Sequence, residues 1–211
     1  MQSRIVMMHL RDDQWYLARH PVHLVGDART FKGHDNAGVG PGLAFAESMA
    51  AADSQAAIAL VPCAVGGSSI KLWQKGAKLY DDALRRAKLA LQTTAPVKAR
   101  IRGAIWLQGE ANANPEELAV HADRLRAMIE ALRADLGQPE LPFVACTIGE
   151  MKPEPLLTNL QAMNEVLGRL SKRLRTEAAS QSQLAACSTS PKAVSRRSRI
   201  RARRVGSRSI R

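Results

Sequence analysis

The stretch Ala57-Ile58-Ala59-Leu60-Val61-Pro62-Cys63-Ala64-Val65-Gly66-Gly67-Ser68-Ser69-Ile70 decides the fold class. Its first eight residues form a short apolar run that ends in turn chemistry, as a strand buried on both faces of a parallel sheet does. Downstream, Leu79, Ala83, Leu84, Ala87 and Leu91 recur at helical spacing and predict a helix over 79–92. A second strand is predicted over 101–107. Asn114-Pro115-Glu116-Glu117 then opens a long helix, with Asn as N-cap, Pro at the first helical position and acids in the first turn. This helix is predicted to stop at Gly137. A third strand follows over 141–148 and a helix over 156–170. Upstream, 42–52 reads as a helix and 5–8 as a strand. Strands alternating with helices predict an α/β fold with a parallel sheet covered on both faces. Ligands bind such sheets beyond the carboxyl ends of the strands, so the residues just after each strand carry the functional question.

Composition narrows the classes. Of 211 residues, 45% are apolar and 24% charged, the mix of a globular chain. The longest uncharged stretch, 54–70, includes Gln, Pro, Ser and two Gly. A spanning helix needs about 20 mostly apolar residues, so no membrane partner is expected. Residues 1–14 carry His, Arg and Asp where a secretory signal has its apolar segment, and a cytoplasmic location is the default expectation. Cys63, Cys146 and Cys187 are too scattered for a disulfide framework or a zinc cluster. The formal net charge of +12 belongs to one end: residues 171–211 hold 12 Lys+Arg against the single acid Glu177. That segment contains ten Arg and nine Ser and no aromatic residue. It has too little apolar surface to offset chain entropy. The expectation is one domain over 1–170 and a disordered basic tail over 171–211.

Gly66 and Gly67 follow the first clear strand. Two glycines let a ligand approach the backbone closely and can aim N–H groups at a developing negative charge. A plain strand-to-loop turn would use the same residues. No phosphate loop is present, since neither the Gly-Lys-Ser/Thr ending nor the GxGxxG spacing occurs. Gln108, Glu110 and Asn112 gather after the second strand. An amide can donate to an oxyanion, and a carboxylate can hold that amide or accept a substrate hydroxyl; a loop with helix-capping residues reads the same way. Glu150, after the third strand, reads as a solvated loop acid. Of the five histidines, His121 falls inside the long helix and is expected on its surface, while His9, His20, His23 and His34 lie in the first 34 residues. No third ligand accompanies His20 and His23 by spacing, so no metal and no cofactor is expected.

Taken in order, several blocks resemble a known family. They are Gly38-Val39-Gly40-Pro41-Gly42-Leu43-Ala44-Phe45, the stretch 60–70, Trp73, Leu79-Tyr80, Trp106-Leu107-Gln108-Gly109-Glu110, Leu132-Arg133-Ala134-Asp135-Leu136 and Leu141-Pro142-Phe143. Together they resemble the sialate O-acetylesterase domain, and more closely the plant-type members of carbohydrate esterase family six. The resemblance spans residues 4–170. It implies a flavodoxin-like three-layer α/β/α fold with a parallel sheet, that of the SGNH hydrolase superfamily. It also implies removal of acetyl groups from carbohydrate by serine-nucleophile ester hydrolysis, with an acetylated carbohydrate or small ester as the partner. By position it implies the Gly67 N–H and the Gln108 side-chain amide as oxyanion donors, with Glu110 as the acid that organises the site. Gly66 shapes the loop, and Gly66, Ser68 and Asn112 are the candidate substrate contacts.

The resemblance departs at both ends. The family's nucleophile lies in a Gly-Gln-Ser-Asn block upstream of the region matching Arg4, and its base in an Asp-x-x-His block near the C-terminus. Gln2-Ser3-Arg4 lacks the Gly and the Asn, Leu107 stands where family members often carry Tyr or His, and the Arg/Ser segment has neither Asp nor His. The fold is therefore expected to be incomplete, with Met1 as an internal start and the tail read out of frame. The absent N-terminal block is expected to leave strand edges of the sheet unpaired. A serine without a base is a weak nucleophile at neutral pH, so this chain is expected to keep the oxyanion side of the site without efficient turnover. Two other functions compete: a non-catalytic carbohydrate-binding remnant, and nucleic-acid binding through the basic tail. A nucleic-acid partner is not expected, because the body shows no recognition motif and the tail offers no aromatic for base stacking.

Overall fold

A computed structural model describes residues 4–23, 38–94, 98–149, 155–177 and 184–187. His34, Glu150 and the Arg/Ser-rich stretch 188–211 lie outside the described residues. The elements run β1 (Ile5–Met8), β2 (Trp15–Leu17), α1 (Pro41–Ala52), β3 (Ile58–Leu60), α2 (Lys78–Thr93), β4 (Ala104–Trp106), α3 (Pro115–Asp135), β5 (Phe143–Cys146), α4 (Pro155–Glu177) and β6 (Leu184–Cys187).

The architecture is mixed α/β with small, mainly parallel sheets. β1 pairs in parallel with β3, in the register Ile5↔Ile58 to Met7↔Leu60. β5 pairs in parallel with β4, Ala104↔Phe143, and with β6, Phe143↔Leu184. A helix joins each consecutive parallel strand, as the alternating pattern predicts. Two features correct the expectation of a single parallel sheet. β2 runs antiparallel to β1, with Met7 opposite Tyr16, after a tight turn in which Asp13 takes a φ of +54. The strands also form two groups, β2-β1-β3 and β4-β5-β6, so β3 and β4 each have a hydrogen-bonded neighbour on one side only among the described residues.

Each group has its own core. α1 covers the first through Leu43, Ala46 and Ala50, which pack on Ile5 and Met7. The second core gathers α2, α3 and α4 around β4 and β5, with Trp73 set edge-to-face on Trp106 at 5.2 Å between ring centroids. Local signals explain the helix limits. The Asn114 side chain accepts from Glu117 N at 3.0 Å, Pro115 occupies the first turn, and Gly137 ends α3 at φ +64.

Regular structure extends beyond the expected boundary at 170. α4 continues to Glu177, and β6 lies at Leu184–Cys187, so regular structure passes residue 170.

Buried Arg86 of α2 fixes the strand ends that carry the site. Its guanidinium donates to the carbonyls of Met8 at 3.0 Å, His9 at 3.3 Å and Pro62 at 3.2 Å, and it pairs with Asp13. One side chain thereby satisfies carbonyls at the carboxyl ends of both β1 and β3.

Candidate active site

The loop after β3 turns at Gly67, whose φ of +69 lies in the left-handed region that favours glycine. Gly66 and Gly67 are exposed at the centre of a hydrogen-bonded turn, and their own backbone N–H groups have no hydrogen-bond partner among the described residues. A run of free N–H groups around a left-handed residue forms a concavity suited to negative charge. Ser68 points the other way. Its hydroxyl is buried, donates to Val65 O at 2.7 Å and accepts from Trp73 Nε1 at 3.0 Å. As a substrate contact it is therefore limited to its backbone. Ser69 caps the short 3₁₀ helix Ile70–Trp73 by accepting from Lys71 N at 3.3 Å.

The end of β4 meets this loop. Gln108 is buried and donates from Nε2 to Ser68 O at 3.1 Å and to Asn112 Oδ1 at 2.7 Å. Both protons of its amide are thus engaged within the protein, while Oε1 has no partner. Gly109 permits this approach. Its φ is +155, and a Cβ there would stand 2.7 Å from Ile148 Cδ1 and 2.7 Å from Met163 Cγ.

Asn112 is 1% exposed, and its carboxamide is wholly engaged by protein groups. This corrects its reading as a substrate contact: no polar position on it remains for a ligand. Glu110 is exposed, and its side chain makes no hydrogen bond or ion pair among the described residues. The acid that organises this region is instead Glu117 in the first turn of α3. It accepts from Asn112 Nδ2 at 3.0 Å, from Lys71 Nζ at 2.7 Å and from Arg124 Nη1 at 2.5 Å. The Lys71 hydrogen bond, then the Arg124 and Lys71 charges and the Asn112 amide, hold its carboxyl below the ordinary value. Lys71 and Arg124 were not singled out from the sequence, and Glu117 was read only as a first-turn acid of the helix. The seven-residue spacing of 117 and 124 does place them on one helix face, but the meeting of Lys71 with Glu117 depends on tertiary packing.

Neither His9 nor His121 is hydrogen-bonded to the glycine loop or to Gln108. His9 is buried at the end of β1 with Nδ1 3.1 Å from Asp12 Oδ1. His121 is not on the surface, as expected, but fully buried, with neither ring nitrogen partnered. Burial, aided by the Arg124 charge and opposed by Glu117, pushes its pKa down to about 4. Among the described residues no serine hydroxyl is hydrogen-bonded to a histidine. No group of three or more His, Cys, Asp or Glu is placed to hold a metal ion among them, and no described helix is long and apolar enough to cross a membrane.

A protein of Arabidopsis thaliana named as a probable carbohydrate esterase is 34% identical over 140 residues, which cover 65% of this chain and 50% of that protein. One of Escherichia coli K12, named as a probable 9-O-acetyl-N-acetylneuraminic acid deacetylase, is 31% identical over 101 residues, covering 39% of this chain and 30% of that one. The chain therefore spans half or less of the length of these curated relatives. The X-ray structure of an Arabidopsis thaliana protein superposes with a TM-score of 0.70 at 27% identity, over 88% of this chain and 68% of that one. A carbohydrate acetylesterase from Xanthomonas citri shares the fold, with a TM-score of 0.57 at 19% identity over 87% of this chain and 42% of its own. The family described as "Carbohydrate esterase, sialic acid-specific acetylesterase" matches residues 1–186, and the chain belongs to that family.

Proposed function

We propose that this chain carries the oxyanion-stabilising side of a carbohydrate O-acetylesterase site, in the three-layer arrangement of SGNH hydrolases, and acts on acetyl esters of sugars. One observation supports the reading: the Gln108 amide, after β4, is hydrogen-bonded at 3.1 Å to the carbonyl of Ser68, next to Gly66 and Gly67, whose N–H groups have no partner among the described residues. Donors fixed around a developing oxyanion stabilise the tetrahedral intermediate of acyl transfer without reorganising. Gly67 N–H is the donor ready for that charge, and Gly66 keeps the loop mouth open. Gln108 becomes the second donor by exchanging the Ser68 carbonyl for the oxyanion. The substrate class rests on the family and on the names of the relatives.

Hydrolysis also needs an activated hydroxyl and a base to take its proton. The described serines are hydrogen-bonded to groups other than histidine, and Ser68 is locked inside its loop. The described residues therefore support only the level of turnover that an oxyanion site without an activated nucleophile sustains. That level is about 10³–10⁴-fold over water in a serine protease stripped of its triad. The test is hydrolysis of 4-nitrophenyl acetate together with labelling by a serine-directed phosphonate. Slow hydrolysis that falls in Gln108→Ala, with no stoichiometric label, supports the reading. Fast turnover with a labelled serine, abolished by Ser69→Ala or Ser68→Ala, would show a complete triad and overturn it.

A further inference from the structure

We propose that Asn112 is the positioning residue of this site. It sets the orientation of the Gln108 amide and the shape of the glycine loop, with Glu117 fixing Asn112 from behind. The proposal rests on the oxyanion reading above for its functional meaning, but its geometry stands alone. Asn112 Oδ1 accepts from Ile70 N at 2.9 Å and from Gln108 Nε2 at 2.7 Å. Its Nδ2 donates to Ser69 Oγ at 2.9 Å and to Glu117 Oε2 at 3.0 Å. A carboxamide offers two lone pairs and two protons, and all four are used. Two of these bonds grip the chain just after Gly67, one holds Gln108, and one leads to the Glu117–Lys71–Arg124 cluster.

The pattern has one sense only. Rotating the Asn112 carboxamide by half a turn would set its N–H groups against the N–H groups of Ile70 and Gln108, and its oxygen against the Glu117 carboxylate. The same logic propagates to Gln108: with its amide facing Ser68 O and Asn112 Oδ1, its donor end points at the loop. Asn112 thus retains one Gln108 proton in every state, while the bond to Ser68 O is the one that an oxyanion replaces. Glu117 supplies the fixed acceptor that begins this sequence, and the Lys71 and Arg124 cations keep it ionised. Asn112 reaches the site through Gln108 and the loop, so its role is to position rather than to touch the substrate.

The test uses the whole chain and needs no turnover for its main readout. Hydrogen exchange of the Gln108 side-chain amide, followed by NMR, is compared in Asn112→Ala, in Asn112→Asp and in the double variant Asn112→Asp with Glu117→Gln. Each single variant is expected to speed that exchange at least ten-fold and to shift the Gly67 amide signal. Interior amides of α3, such as Leu125 and Ile129, should keep their protection within two-fold. In Asn112→Asp the lost donor leaves two carboxylates facing each other. In the double variant the carboxamide introduced at position 117 can donate to the carboxylate introduced at position 112, so protection of Gln108 should return. A Gln108 amide unchanged in both single variants would overturn the proposal. So would global loss of protection in the single variants without recovery in the double, which would mark Asn112 as a general fold determinant. Where the wild-type chain hydrolyses 4-nitrophenyl acetate, the single variants should lower kcat about ten-fold and leave KM within two-fold, and the double variant should recover kcat. Absence of wild-type hydrolysis would count against the esterase reading alone, since the exchange measurements decide the positioning role separately.

Discussion

His121→Leu tests the packing of α3 and the electrostatics behind the site in one substitution. His121 is 0% exposed, and both its ring nitrogens lack partners. A neutral imidazole fits there, whereas a protonated one would be a buried charge with its donors unsatisfied. Its pKa falls from the ordinary 6.5 to about 4 in the folded chain, through burial first and the Arg124 charge second, against the opposing Glu117 charge. Between those two values the unfolded chain binds the proton and the folded chain does not, so stability falls as pH drops through that window. A shift of this size corresponds to about 3 kcal/mol when fully developed, with about 2 kcal/mol already lost by pH 5. His121→Leu removes this dependence. It also removes two unpartnered polar atoms, so at pH 7 the variant should be as stable as the wild type or more so. Urea denaturation of both proteins at pH 7 and pH 4.5 measures the effect. The depressed carboxyls of Asp135 and Asp82 titrate in both proteins, so the difference between them reports the histidine together with its coupling to Glu117. Equal pH dependence in the two proteins, or a loss above about 2 kcal/mol in the variant at pH 7, would refute the reasoning.

Other substitutions probe the strand ends. Gly109→Ala places a Cβ 2.7 Å from both Ile148 and Met163 at a φ of +155 and should cost about 2–4 kcal/mol; a thermal melt unchanged from wild type would contradict the close packing. Arg86→Met leaves the carbonyls of Met8, His9 and Pro62 without their shared donor and Asp13 without its buried partner. It should destabilise by about 3–5 kcal/mol in urea titration, and a loss below about 1 kcal/mol would mean that water takes the place of the guanidinium. Ser68→Ala strands Trp73 Nε1 and should lower stability by about 1–3 kcal/mol while ester hydrolysis stays within two-fold; abolished hydrolysis in a folded variant would assign Ser68 a chemical role.

The sequence alone determined the elements whose signals are local. α1, α2 and α3 fall within a residue or two of their predicted limits, because capping residues, Pro at the first turn and 3.6-residue periodicity act between near neighbours. The order of strands and helices, and the placing of Gly67 and Gln108 at strand ends, followed from the same reading. His121 was legible too: it lies on the stripe Leu118, His121, Leu125, Met128 and Leu132, and that spacing predicts burial, which its polarity masked. Only the tertiary structure decided the rest. The strands are shorter than the apolar runs, since a strand ends where its partner does. β2 turns back antiparallel because three residues after a tight turn can reach the free edge of β1. Glu117 holds the site where Glu110 does not, and Gln108 faces the loop with both protons engaged. Part of each assignment rests on polar atoms that meet across 40 or more residues of chain, as Gln108 meets Ser68 and Asn112 meets Ile70, and no local propensity encodes the direction of a hydrogen bond made at that distance.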